Sequence, residues 1–194
     1  GELAHGYFIY DYAVHVPLII STPDKRFQGK RVSLEVSTVD IFPTVAELAG
    51  LEARTSQGRS LVQIMAGRKE KEIPAYCESM SPSLHYGWSP LLGLRTSQFK
   101  FIDAPRPELY DLKNDPEENT DVQNKFPQVG LNYKKDLDSL LEKISQGAPE
   151  PQAADLDAET VQRLAALGYI GASVKLKTRP AKELADPKDK LEVY

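Results

Sequence analysis

An α/β fold is what this sequence predicts, and three observations carry the prediction. An apolar run over residues 14–20 is followed by polar–apolar alternation over 31–36 and then by a capped helical pattern from Asp40. Three strand-like stretches, residues 88–95, 99–103 and 108–112, succeed one another across short turns. A helical stripe of Leu137, Leu140, Leu141 and Ile144 comes after them. The first pattern gives a βα layout, the second an antiparallel meander, and the third a helix able to cover one sheet face.

Taken in chain order, the elements justify themselves as follows. Residues 14–20 are apolar enough for a strand buried on both faces, and Ser21-Thr-Pro-Asp24 closes it with a turn. Phe27-Gln-Gly-Lys30 turns again, and the alternation over 31–36 suits a second strand. Asp40 can cap the helix that follows. Pro43 falls in its first turn, where the missing N–H costs nothing, and Gly50 stops it. Ile41, Val45, Leu48 and Ala49 recur at helical spacing and predict a core-facing stripe. Farther along, Thr96-Ser-Gln98 is short enough for a hairpin, and Ala104-Pro-Arg-Pro107 is a stiff connection suited to a sheet edge. Asn114 to Asn119 break the strand pattern before the long helix, which Gly147 can end. Residues 147–154 read as a linker. A short helix from Asp157 follows, with Leu156 and Val161 as a hydrophobic staple and Gly168 as its stop. Residues 172–190 are charged or small, with Pro180 and Pro187, and predict little fixed structure unless docked.

Composition narrows the function. At 194 residues, with 41% hydrophobic and 27% charged residues, the chain has the make-up of a globular domain with a tail. A net charge of −4 offers no basic face for nucleic acid. No apolar run approaches the roughly 18 residues that a membrane span requires. Cys77 is the single cysteine, so neither an internal disulfide nor a thiolate metal cage can form. Neither this nor the opening Gly1-Glu2-Leu3 fixes a compartment; a periplasmic or secreted parent is compatible with both.

The opening stretch carries the most information. Gly1-Glu2-Leu3-Ala4-His5-Gly6-Tyr7-Phe8-Ile9-Tyr10-Asp11, then His15-Val16-Pro17-Leu18-Ile19-Ile20, resembles the sulfatase family of the alkaline-phosphatase superfamily, just after that family's Asp-His-Gly-Glu metal-binding segment. Later blocks follow in the family's order: Val36-Ser-Thr-Val-Asp-Ile-Phe-Pro-Thr44, Leu48-Ala-Gly50 and Gly58-Arg-Ser-Leu61. Gly87-Trp-Ser-Pro90, Leu94-Arg-Thr96, Lys100-Phe-Ile102, Glu108-Leu-Tyr-Asp-Leu112 and Asp115-Pro-Glu117 then resemble its C-terminal subdomain. The resemblance covers residues 1 to about 145. It implies that residues 1–72 form the C-terminal end of the α/β sulfatase core. Residues 73–147 would form a small antiparallel sheet with a packed helix, and 148–194 a linker, short helix and tail.

The chemistry implied is metal-dependent hydrolysis of a sulfate ester. A formylglycine made from Cys or Ser attacks sulfur, while a divalent cation, calcium in most of the family, neutralises the sulfate oxygens. The Cys/Ser-x-Pro-x-Arg nucleophile motif and the metal ligands are absent here, so the expectation is no cofactor and no catalysis in this fragment. His5 alone falls on a family functional position, where a His or Lys donates to the sulfate or leaving-group oxygen. A donor there meets the charge that develops as the S–O bond breaks. The bland alternative for His5 is a surface histidine in the turn before Gly6.

Other candidates are assigned structural roles. Cys77 lacks the Pro and Arg of the modification motif and reads as a buried bystander. His15 reads as structural. His85, beside Tyr86 and Trp88, could line a substrate mouth, but sheet packing is the stronger reading. Asp40 reads as a helix cap rather than a metal ligand, and Glu108, Asp111 and Asp115 as a solvated edge. Asp186-Pro-Lys-Asp-Lys190-Leu-Glu-Val-Tyr194 resembles the entry to tetratricopeptide-type repeats, the alternative being a disordered linker. Two rival readings of the parent stay open. One is a phosphodiesterase, phosphonate hydrolase or phosphotransferase of the same superfamily. The other is a catalytically dead scaffold.

Overall fold

The alternating stretches in the middle of the chain pair as the meander requires. In a computed structural model describing residues 6–54, 56–146, 159, 160, 163 and 183–190, four strands form one antiparallel sheet in the order of the sequence. They are β1 (Ala75–Ser79), β2 (Leu91–Arg95), β3 (Phe99–Asp103) and β4 (Glu108–Asp111). Register follows from side-chain alternation. Leu94, Phe101 and Leu109 lie abreast on one face, while Arg95, Lys100 and Tyr110 lie abreast on the other.

Helices precede and follow the sheet: α1 (Asp11–Val14), α2 (Ile41–Leu48), α3 (Val62–Met65), α4 (Ser81–Tyr86, between β1 and β2) and α5 (Pro127–Ser145). Helix α5 begins on Pro127 and lies across the Leu94/Phe101/Leu109 face, with Leu137 fully buried against it. The opposite face is covered by the start of the chain, whose Tyr7, Phe8 and Ile9 join Leu91, Ile102 and Tyr110 in a second core. The sheet is therefore the middle of three layers, with an apolar cluster on each side.

Several expectations need correction. Residues 14–20 and 31–36 do not form strands; residues 16–20 and 31–36 take up neither strand nor helix. Val16 is 62% exposed and Ile19 89% exposed. A strand buried on both faces needs neighbours on both edges, and none is supplied within the described residues. The stripe on α2 fares likewise, since Ile41 and Val45 face solvent and the residues it buries are Pro43, Thr44 and Ala46. The edge strand β1 and helix α4 add to the meander; the strand expected over 88–95 begins only at Leu91, because Gly87 takes a left-handed conformation that ends α4 first.

Asp40 is buried, but it does not cap α2 with its side chain. It receives the backbone N–H of Ser37 at 3.0 Å and of Arg59 at 2.8 Å. Thr44 completes the tie by donating to the Asp40 carbonyl and accepting from the Leu61 N–H. Gly58 fits here because a Cβ at that position would lie 2.2 Å from the Val39 carbonyl oxygen. The blocks around Asp40 and Gly58 thus share one joint.

The tail is docked where it is described. Pro187 is buried, the Ser89 N–H donates to the Ala185 carbonyl at 3.0 Å, and Asp186 accepts the Arg106 N–H at 3.0 Å. Arg106 and Asp189 form a two-pronged pair at 2.7 Å. Of the short helix expected from Asp157, only residues 159, 160 and 163 are described, all helical. The linker, the Gly168 stop and residues 191–194 of the proposed repeat entry lie outside the described residues.

Candidate functional site

His5 itself lies outside the described residues; the backbone that follows it is held at both ends of a short run. Gly6 adopts φ +93°, a conformation that favours glycine, and its carbonyl accepts a 3.1 Å hydrogen bond from the Ser79 hydroxyl. Tyr7, Phe8 and Ile9 are then 0%, 4% and 1% exposed. Burial on that scale stabilises by about 1.5–3 kcal/mol for each large apolar side chain. Ile9 can approach closely because β2 offers Gly93 beneath it, where an added Cβ would meet the Ile9 side chain at 3.0 Å.

Asp11 ends the run in a cluster of charges. Arg95 Nε lies 3.0 Å from both Asp11 carboxylate oxygens, and its Nη2 reaches Oδ2 at 2.8 Å. The Lys100 Nζ bridges Asp11 and Glu118, 2.9 Å from each, although its side chain is 0% exposed. Glu118 also accepts the Asp11 backbone N–H at 2.5 Å, and Arg95 pairs with Glu35 on its other side. His15 stands 3.7 Å from Asp11 at the half-exposed margin.

The electrostatics explain how a lysine can be buried here. Removing an ammonium from water costs several kcal/mol unless partners replace the hydration, and Lys100 has a carboxylate on either side. Burial works to raise the Asp11 carboxyl, but hydrogen bonds from Arg95 and Lys100 outweigh it and hold the group below its ordinary range. For Glu118 burial wins over the attraction of Lys100, and the carboxyl sits above its ordinary range. The cluster is an internal salt lock, not a free acidic cradle. Its carboxylates are already committed to cations, so they do not fit a divalent metal. Among the described residues, no group of three or more His, Cys, Asp or Glu is placed to hold one.

Beside Gly6 lies an aromatic platform. Tyr86 and Trp88 stack with centroids 4.4 Å apart, and Tyr7 meets both edge-on at 6.3 Å and 6.2 Å. His85 does not pack on the sheet as expected; it is exposed in the last turn of α4. Cys77 lies in β1 against the Ile9 core, and burial pushes its thiol up to about 11, which leaves it unreactive near neutrality. The three acids read as a solvated edge are each partly buried, and Glu108 departs furthest from that reading. It is half-buried and accepts from the Tyr10 hydroxyl at 3.0 Å, with Lys188 at 3.2 Å on its other side. Asp111 and Asp115 bond locally within the turn, to Asn114 and to Thr120.

Asp11, Arg95, Lys100 and Glu118 were not singled out by their residue types. One signal pointed to Lys100: it shares a strand face with Ile102, so that face had to be covered.

Against known proteins, a family model described as N-sulphoglucosamine sulphohydrolase, C-terminal, matches residues 4–146. Arylsulfatase K of Gallus gallus is 34% identical over 159 residues, which is 73% of this chain and 29% of that protein. Arylsulfatase K of Homo sapiens is 32% identical over 159 residues, again 73% and 29%. The chain spans about 29% of the length of these curated relatives. Among solved structures, the phosphonate monoester hydrolase of Agrobacterium radiobacter is 28% identical with a TM-score of 0.50, over 60% of this chain and 27% of that one. The protein Ps i-CgsB is 25% identical with a TM-score of 0.51, over 72% and 31%.

Proposed function

Because this chain belongs to the N-sulphoglucosamine sulphohydrolase C-terminal family, we propose that it is the C-terminal part of a sulfuric ester hydrolase. In this reading residues 1–72 finish the α/β core, 73–147 are the small subdomain beside the cleft, and 148–194 lead onward. The nucleophile, a formylglycine, and the ligands of a divalent cation such as calcium come from the rest of the parent. His5 donates to the sulfate or leaving-group oxygen, and the chain alone is inactive. The substrate is a sulfate ester.

One observation carries this reading. The segment that follows His5 in the sequence is buried from Tyr7 to Ile9 and held at Asp11, which supports a functional role for this stretch. The tetratricopeptide-type continuation rests on the sequence of residues 186–194 alone.

A second reading is favoured by the likeness to a phosphonate monoester hydrolase: the parent acts on a phosphodiester or phosphonate ester. Both readings predict that His5→Gln in the full-length protein lowers kcat, by about 10²-fold if a positioned donor is lost. Comparing p-nitrophenyl sulfate with bis(p-nitrophenyl) phosphate separates them. Unchanged turnover of both substrates in His5→Gln would remove the assigned role.

A further inference from the structure

The buried lysine has no part in the chemistry proposed above, yet it lies at the end of the segment that carries His5. The run from Gly6 to Asp11 lies along the β1–β2 ladder. Gly6 is tied to Ser79, at the end where Ser79 pairs with Leu91. Ile9 sits over Gly93, which pairs with Cys77 in the middle. Asp11 is held by Arg95, at the end where Arg95 pairs with Ala75. The three contacts place the segment in register with the ladder, as a slide is placed against a rule. A slip of one residue would move Gly6 by about 3.3 Å, and His5 is bonded directly to it.

Apolar contacts alone set that register weakly, because they are non-directional and tolerate sliding. The salt lock does not. Asp11 takes a two-pronged bond from Arg95, an ammonium from Lys100 fixed in turn by Glu118, and gives its own N–H to the same Glu118. Moving the segment by one residue would leave Lys100 buried with one carboxylate instead of two. We propose that Lys100 and Ser79 are positioning residues for the parent's reaction, setting the register of the segment from Gly6 to Asp11, to which His5 is covalently joined. The inference rests on the proposed role of His5. Displacements of about 1 Å at a reacting group cost on the order of 10²-fold in rate, so the effect belongs in kcat more than in KM.

The test is a double-mutant cycle in the full-length protein, read as kcat and KM on p-nitrophenyl sulfate, or on the phosphodiester where that is the substrate turned over. Lys100→Met and His5→Gln are made singly and together, with circular dichroism to verify folding. The proposal expects each single variant to lose about tenfold or more in kcat with KM changed less, and the double to lose no more than the worse single. Losses that multiply would mean that Lys100 acts apart from His5 and would overturn the proposal. Should Lys100→Met fail to fold, Ser79→Ala replaces it, since it removes one hydrogen bond at the near end and keeps the lock. A smaller kcat loss, absent in the His5→Gln background, is then expected. Full turnover in Lys100→Met and Ser79→Ala beside a crippled His5→Gln defeats the positioning idea alone. Full turnover in His5→Gln defeats the assignment of His5, and the positioning proposal with it.

Discussion

At the scale of single residues, the salt lock and the Gly58 joint make the sharpest stability statements. Asp11 has a folded pKa below its ordinary value of 3.8, so its contribution is complete above that value and is lost as pH falls through the depressed one. Glu118, with its pKa raised, works in the opposite sense: its burial costs stability above the folded value, and acid relieves that cost. Replacing Asp11 by Asn should therefore destabilise the chain by about 3 kcal/mol near neutrality and also flatten its acid limb. Urea unfolding of both proteins at several pH values down to about 3 would show the two curves converging. Parallel curves would mean that Asp11 is not the titrating partner. Gly58→Ala is expected to cost about 1–3 kcal/mol by overpacking, because the Cβ would meet the backbone of Val39 and Asp40 rather than the end of a flexible side chain. A thermal melt unchanged by this substitution would contradict the close approach.

At the scale of elements, α5 and the sheet depend on each other. Leu137 is 0% exposed between α5 and the Leu94/Phe101/Leu109 face. Leu137→Ala should cost about 2–5 kcal/mol through lost transfer energy and the cavity left behind, and a loss below about 1 kcal/mol in chemical denaturation would show that α5 is not seated there. The same elements show what could be read in advance. β3 and β4 and the α5 stripe of Leu137, Leu140 and Leu141 were legible because period-2 and period-3.6 patterns with large apolar residues leave little choice of face, while Ile144, also expected in the stripe, is exposed near the helix end. β1 was not, since Ala75-Tyr-Cys-Glu-Ser79 mixes small and polar residues along an edge strand paired on one side only. Residues 14–20 and 31–36 failed for a different reason. Their apolar character is real, but a strand requires a partner, and pairing is a property of the surroundings rather than of the segment. The salt lock was hidden for the same reason: its members come from four separate segments, and only the fold brings residues 11, 95, 100 and 118 together. His5 came from the resemblance, and its placement stays outside the described residues.

At the scale of the whole molecule, the chain belongs to a sulphohydrolase C-terminal family. It spans about 29% of the length of its curated relatives. Its committed carboxylates leave the described residues without a metal cradle. Its ordered features instead converge on holding one segment against one sheet. The central claim is that this part positions a donor while the remainder of the parent supplies nucleophile and cation. A single comparison tests it most directly: hydrolysis of p-nitrophenyl sulfate, with calcium present, by the 194-residue chain and by the full-length protein side by side. The account predicts turnover by the full-length protein and none above buffer by the chain. Robust turnover by the chain alone would contradict it.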